Sequence, residues 1–518
     1  MHVESKKSRI SNPKIAKIVM NTYLIRGSFS RFLTKVVITG SMCCLLGLGC
    51  SKSKTEVENQ DEEAVVEFVA PDPLTLLVVG DKQLGPRIKR QWAARQDGVI
   101  TVVDLAAADF YASDFKLPQD VDVLIYPPSM LGDLVPRGLL LEVPRDVWNS
   151  DEVKKNELLK HFRTLVVRHD NQNWALPLGA PCFSMICNRG LFESAQLEPP
   201  LMWDKMERCL EKLDDVLKED QSLKLEPKVD LALAPGWAAH TFLARVAPEI
   251  ALRGRLSVVF DRQTMKPLVG SPPFVESLRQ LKSIASKRSL ELNPKQLYRL
   301  AAAGESSIAV TWPAMGFAEE TNEESTDASD EQQLEDNSVS VIVSLPGSSR
   351  WFDSRSKTWA KRSSDEQLQT DTIGYGGLIG SVSATSSNDL TAWDLLSWLC
   401  SKKISLLTLT PSPAVGPFRA SHLGDVSRWT GERISVDVAD QFADVVAACH
   451  DRPQAIIFPR ISGHQSYFDA LDEGVRKCID GQSTPEEALQ EVAKRWEELT
   501  EQRGRKTQIR NLKQATGL

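Results

Sequence analysis

Residues 74–126 read LTLLVVGDKQLGPRIKRQWAARQDGVITVVDLAAADFYASDFKLPQDVDVLIY, and the pattern in this stretch decides the fold class. Three short apolar runs rich in branched residues, at 75–79, 100–103 and 121–126, read as buried strands. Between the first two, Leu84, Ile88, Trp92 and Arg95 recur at helical spacing. A strand, helix, strand order calls for a crossover, and crossover helices accompany largely parallel sheets. The expected class is α/β.

The chain has 518 residues. Single hydrophobic cores stop growing at roughly 250 to 300 residues, so two lobes with separate cores are expected. A hydrophobic fraction of 42% and a charged fraction of 25% suit a globular body. The net charge of -7, with no basic stripe in the body, argues against nucleic acid as a partner.

Residues 36–49, VVITGSMCCLLGLG, form an apolar run of signal-peptide length behind Arg31 and Lys35. The run is too short to span a bilayer comfortably and ends in Gly49 before Cys50, a pattern similar to a bacterial lipobox. Gly47 departs from that pattern, since a Leu is usual three residues before the cysteine. Residues 1–50 are therefore expected to be a lipoprotein signal peptide, with Cys50 lipidated and the body held in the periplasm or cell envelope. Residues 51–72 are polar and acidic and suit a flexible tether. Six cysteines remain in the body and allow 15 pairings, among which sequence does not choose. Cys182 and Cys187 are not expected to pair, because an odd separation along a strand points them to opposite faces.

Helices are expected at 274–286 and 390–399 and strands at 307–311 and 338–343. The clearest helix is C-terminal, where Thr484-Pro485-Glu486-Glu487 forms a capping box ahead of an apolar face at Leu489, Val492, Ala493, Trp496 and Leu499. The basic residues after Gln502 are expected to fray. Residues 319–337 are acidic and Ser-rich without apolar periodicity, and read as a disordered surface insertion.

Residues 122–144, DVLIYPPSMLGDLVPRGLLLEVP, resemble the first-lobe segment of the family 1 extracellular solute-binding proteins, the receptors of sugar-type ABC importers. Residues 173–200, NWALPLGAPCFSMICNRGLFESAQLEPP, followed by Trp203-Asp204, are similar to that family's most recognisable stretch. Gly304 to Pro313, the Leu345-Pro346-Gly347 turn, GYGGLIG at 374–380 and Phe458-Pro459-Arg460 follow in family order. The resemblance spans most of residues 74–500. It implies a two-lobed periplasmic-binding-protein fold of type II, with crossover strands between the lobes and a ligand cleft between them. Lobe 1 would hold 73–178 and 378–428, and lobe 2 would hold 179–377, with the acidic insertion, and 429–518. Leu178, Gly376 and Gly377 would form the hinge.

A sugar ring offers an apolar C–H face and a girdle of hydroxyls, so its site needs aromatic platforms flanked by polar groups. Trp312 ends an apolar strand and matches the family position that stacks on ligand, and Trp237 sits on a Pro-Gly turn. Tyr126 and Ser129 lie at a strand's C-terminal end, where open α/β sheets bind ligands. Arg460 and Tyr467 flank the closing loop, where the family often places a polar and an aromatic contact. Trp92, Trp203, Trp393, Trp398 and Trp496 lie on helical patterns and are expected in the core. Motifs of serine hydrolases, zinc proteases, phosphate loops and dinucleotide folds are missing, and the histidines show no ligand spacing. The expected function is non-enzymatic capture of a small solute, a carbohydrate, for an ABC permease, without a cofactor. An orphan sensor or a structural lipoprotein on the same fold is the alternative.

Overall fold

The computed structural model describes residues 73–516, apart from 96–97, 113–114, 221, 251–258, 314–339, 364–367, 375, 411, 413–414, 431–434 and 454. The targeting run, Cys50, the tether and the acidic insertion lie outside the described residues.

The first sheet contains β1 (Leu74–Val79), β2 (Ile100–Leu105), β3 (Val123–Tyr126), β6 (Leu176–Gly179) and β14 (Leu378–Val382). Their order is β2-β1-β3-β14-β6, with β1 parallel to β2 and β3, and β14 antiparallel to β3 and β6. Every residue of β3, β6 and β14 is buried, as expected of strands covered on both faces. The helix Leu84–Ala94 follows β1 and buries Leu84, Ile88 and Trp92, while Asp81 Oδ1 accepts the Gln83 and Leu84 N–H groups at its start.

The second sheet has the order β10-β7-β9-β8, built from β7 (Ser184–Asn188), β8 (Val229–Leu231), β9 (Ile308–Thr311) and β10 (Ser340–Ser344). It is mixed, with β8 parallel to β9 and the other pairs antiparallel. Two hairpins, β4 (Arg168–His169) with β5 (Gln172–Asn173) and β11 (Arg350–Asp353) with β12 (Thr358–Lys361), stand apart, as does the parallel pair β13 (Asp371–Ile373) and β15 (Ala455–Ile457). The two lobes are therefore interleaved in sequence. The chain leaves the first sheet after β6 and returns to it at β14.

The two passages between sheets run side by side. A Cβ added at Gly377 would overlap the Gly179 carbonyl and Ala180, and Gly377 and Gly179 have φ of 91° and 116°. Glycine is required there for both close approach and backbone conformation.

The helices Pro272–Ile284 and Asp389–Cys400 form where apolar spacing predicts them. Thr484 caps Pro485–Gln502 with the reciprocal Glu487 contact. Trp92, Trp203, Trp393 and Trp496 are buried in the core, and Trp398 is half-buried against it. The expected fraying after Gln502 is corrected by a further helix, Arg505–Ala515. Polar contacts and Leu512 dock it: Gln508 Nε2 donates to the Ser462 carbonyl, and the Gln514 carbonyl accepts the Asp170 N–H. The six cysteines of the body are buried free thiols, so Cys182 and Cys187 are not bonded to each other.

Candidate ligand site

The C-terminal end of β3 leads through Pro127-Pro128 into a short helix, Leu131–Leu134, which meets the loop between β15 and the helix His464–Ile479. The approach is close: a Cβ at Gly132 would overlap the Arg460 carbonyl. Asp133 Oδ1 accepts the Gly463 N–H at 2.9 Å. Burial raises the Asp133 carboxyl, while the Gly463 N–H, the Arg503 guanidinium and the Ser462 hydroxyl oppose that rise.

Beside this contact lies a cavity of about 330 Å³. One wall is aromatic, from Phe110, Tyr111 and Phe115, with Phe110 and Phe115 edge to face at 4.9 Å. Met130 and Asp133 continue that wall, and Ser462, Gln465, Ser466 and Arg503 face it from the other lobe. Tyr111 is held by the Ser129 hydroxyl at 3.3 Å, and burial pushes its phenol up to about 12. The cavity's size falls at the lower end of small-ligand pockets, and its aromatic side with facing hydroxyl, amide and guanidinium groups suits a single polar ring or a short polyol. Two larger hollows, of about 840 Å³ against the helix Pro485–Gln502 and about 680 Å³ beside Trp203 and Arg245, are each confined to one lobe. Among the described residues, no group of His, Cys, Asp or Glu is placed to hold a metal ion.

Several residues singled out in the sequence lie elsewhere. Tyr467 is fully buried in the lobe 2 core, edge-on to Phe260 and Trp496, with Thr500 at its hydroxyl. Tyr126 is enclosed in the first core, with its hydroxyl 2.9 Å from Ser381 Oγ. The structure corrects both from cleft-facing positions to core ones, because each hydroxyl already has a buried partner. Ser129 is buried behind Tyr111 and adjoins Met130 at the cavity wall. Trp312 is 2% exposed and packs edge-on to Phe183 at 5.0 Å and against half-buried Trp237 at 5.5 Å, forming an aromatic cluster apart from the cavity's lining. Arg460 is buried where the two lobes meet, with Nη1 donating to the Val166 carbonyl at 2.7 Å. Leu178 is buried in β6, and Gly376 packs near Pro181. Sequence reasoning missed Phe115, Asp133, Ser462 and Gln465. A Gly-Asp pair after β3 and a Ser-Gly pair after Arg460 are the signals that mark a close approach there.

Gly132→Ala is expected to prise the lobes apart, because the added methyl meets backbone, which cannot rotate away. Small-angle scattering should show a larger radius of gyration. An unchanged radius, with unchanged stability, would show that the contact is not rigid.

No family model matches the chain, and no curated protein matches its sequence. Solved structures match its fold. The maltose-bound MalE3 of T. maritima has 16% identity and a TM-score of 0.59, with 82% of this chain and 99% of that chain covered. An ABC transporter solute-binding protein of Agrobacterium radiobacter in complex with ribitol has 17% identity and a TM-score of 0.58, covering 83% and 99%. Another, from Agrobacterium vitis with bound D-mannitol, has 15% identity and a TM-score of 0.57, again covering 83% and 99%. The chain has their two-lobed α/β fold.

Proposed function

We propose that the protein is a non-enzymatic solute receptor that captures a carbohydrate or polyol between its lobes and delivers it to an ABC permease. The observation that carries this reading is the cavity itself, in which an aromatic wall on one lobe faces hydroxyl and amide groups on the other. Maltose, ribitol and mannitol in proteins of the same fold supply the ligand class. Lobe 1 comprises 73–178 and 378–428, and lobe 2 comprises 179–377 and 429–518. The paired passages at Leu178 and at Gly376-Gly377 act as the hinge, and Trp237 and Trp312 supply a second aromatic platform reached when it opens. Ligand then shifts the lobes by its greater affinity for the closed arrangement. A lipid on Cys50 would hold this body in the periplasm or cell envelope. Among the described residues no helix is long and apolar enough to cross a membrane.

The test is thermal unfolding across monosaccharides, oligosaccharides and polyols. A ligand at 100 times its dissociation constant adds about 2.7 kcal/mol, a readily measured upward shift. Phe115→Ala should weaken the responding ligand about tenfold by removing an aromatic contact, and Trp312→Ala tests the second platform. The close packing of Gly132 on Arg460 also suits the sensor or structural lipoprotein reading. A chain unresponsive to every solute class would favour that alternative.

A further inference from the structure

The loop that closes the first cavity also lines a second, of about 80 Å³, between the β4–β5 hairpin and the end of the C-terminal helix. Arg460 enters it 3% exposed, with Nε lacking any hydrogen-bond partner. Beside it His169 is 2% exposed, and neither ring nitrogen has a partner. Burial first, then the neighbouring Arg460 charge, pushes His169 down to about 4. Arg168 adds a fourth bare nitrogen, its Nε, while its other end donates to the Asn171 carbonyl. Asp170, the carboxylate among the lining residues, is exposed and turned to Gln514 Nε2 at 3.3 Å.

Burying a guanidinium without a counter-ion costs several kcal/mol, and buried polar atoms as a rule find partners. Three side chains here offer nitrogen donors to one small space. At about 30 Å³ per water, that space holds two or three waters or one tetrahedral oxyanion. We propose that this cavity is an oxyanion site, in which Arg460, Arg168 and His169 hold inorganic phosphate, sulfate or the carboxylate of a small acid. Its oxygens accept from Arg460 Nε and Arg168 Nε and from one His169 ring nitrogen. The anion would join the hairpin to the closing loop and so hold the lobes together. The inference does not depend on which solute occupies the first cavity.

The test is calorimetric titration of the whole protein with inorganic phosphate, sulfate and acetate in chloride buffer. Saturable binding of one of them is expected, and the anion that binds identifies the source. Arg168→Met, at a half-buried position, should weaken it at least about tenfold, equivalent to about 1.4 kcal/mol. Arg460→Met should abolish it, and Lys494→Met, exposed on another helix, should leave it unchanged. The two Met variants at the site keep the test meaningful should one fail to fold. No saturable binding of any of the three anions would overturn the proposal. So would equal binding in wild type and Arg168→Met, or a phosphate-soaked crystal showing waters only.

Discussion

Acidification from pH 6.5 to 4 is expected to unfold the protein. Six histidines, His161, His169, His240, His422, His450 and His464, are pushed down to about 3 or 4, with burial the largest cause in each. A base whose folded pKa lies below its unfolded value near 6.5 is protonated first in the unfolded chain. The stability these histidines contribute is therefore complete above about pH 6.5 and is lost as pH falls toward their folded values. Each fully titrating histidine removes about 1.4 kcal/mol per pH unit, against a total stability of about 5 to 15 kcal/mol. Six in parallel exhaust that total within one to two units. Carboxyls raised by desolvation, the buried Asp371 and Asp472, half-buried Asp133 and the more exposed Asp469, act in the opposite direction. They are fewer and start from a lower reference value, so the histidine loss comes first. Tryptophan fluorescence and circular dichroism at stepped pH should give a midpoint above pH 4.5. A chain still native at pH 4 would show that these imidazoles ionise in place.

Arg452→Ala should cost about 3 to 5 kcal/mol, the usual loss when one partner of a buried ion pair is removed. Arg452 and Asp371 are both buried and joined through Nη1 and Oδ2. Arg452 Nη2 also reaches Ser344 Oγ at 2.9 Å and Gln369 Oε1 at 2.7 Å, tying β13 to β10. Its removal leaves a carboxylate in a site that already disfavours charge, since burial raises Asp371 and Arg452 is the group that opposes the rise. The double variant Arg452→Met with Asp371→Leu should recover most of the loss. Urea midpoints measure both. Equal destabilisation of the single and double variants would show that the position needs its hydrogen bonds rather than charge balance.

The strands of the first lobe were legible because runs such as LLVV at 76–79 and VLI at 123–125 are apolar at every position, a pattern few other environments tolerate. The capped helix at 485 was legible because a capping box is a local device. Tyr126 and Tyr467 were misjudged for the opposite reason: a tyrosine faces a cleft or a core according to where its hydroxyl finds a partner. The partners are Ser381, 255 residues away, and Thr500, 33 residues away. The helix Arg505–Ala515 escaped notice because it docks largely through Gln508 and Gln514, and polar docking leaves no apolar stripe. Asp133, Ser462 and Gln465 are ordinary polar residues until the fold sets them around one cavity.

The position of β14 between β3 and β6 governs how the chain can be made. β3 pairs with β1 early, but its other edge acquires a partner, β14, only when residues 255 positions further on are available. At about 5 to 20 residues per second of synthesis, that is a wait of about 13 to 50 s during which the strand edge stays open. The first lobe cannot close while the ribosome is still making the second. Until Leu378–Val382 has been made, the nascent chain therefore keeps that edge of β3 without its antiparallel neighbour.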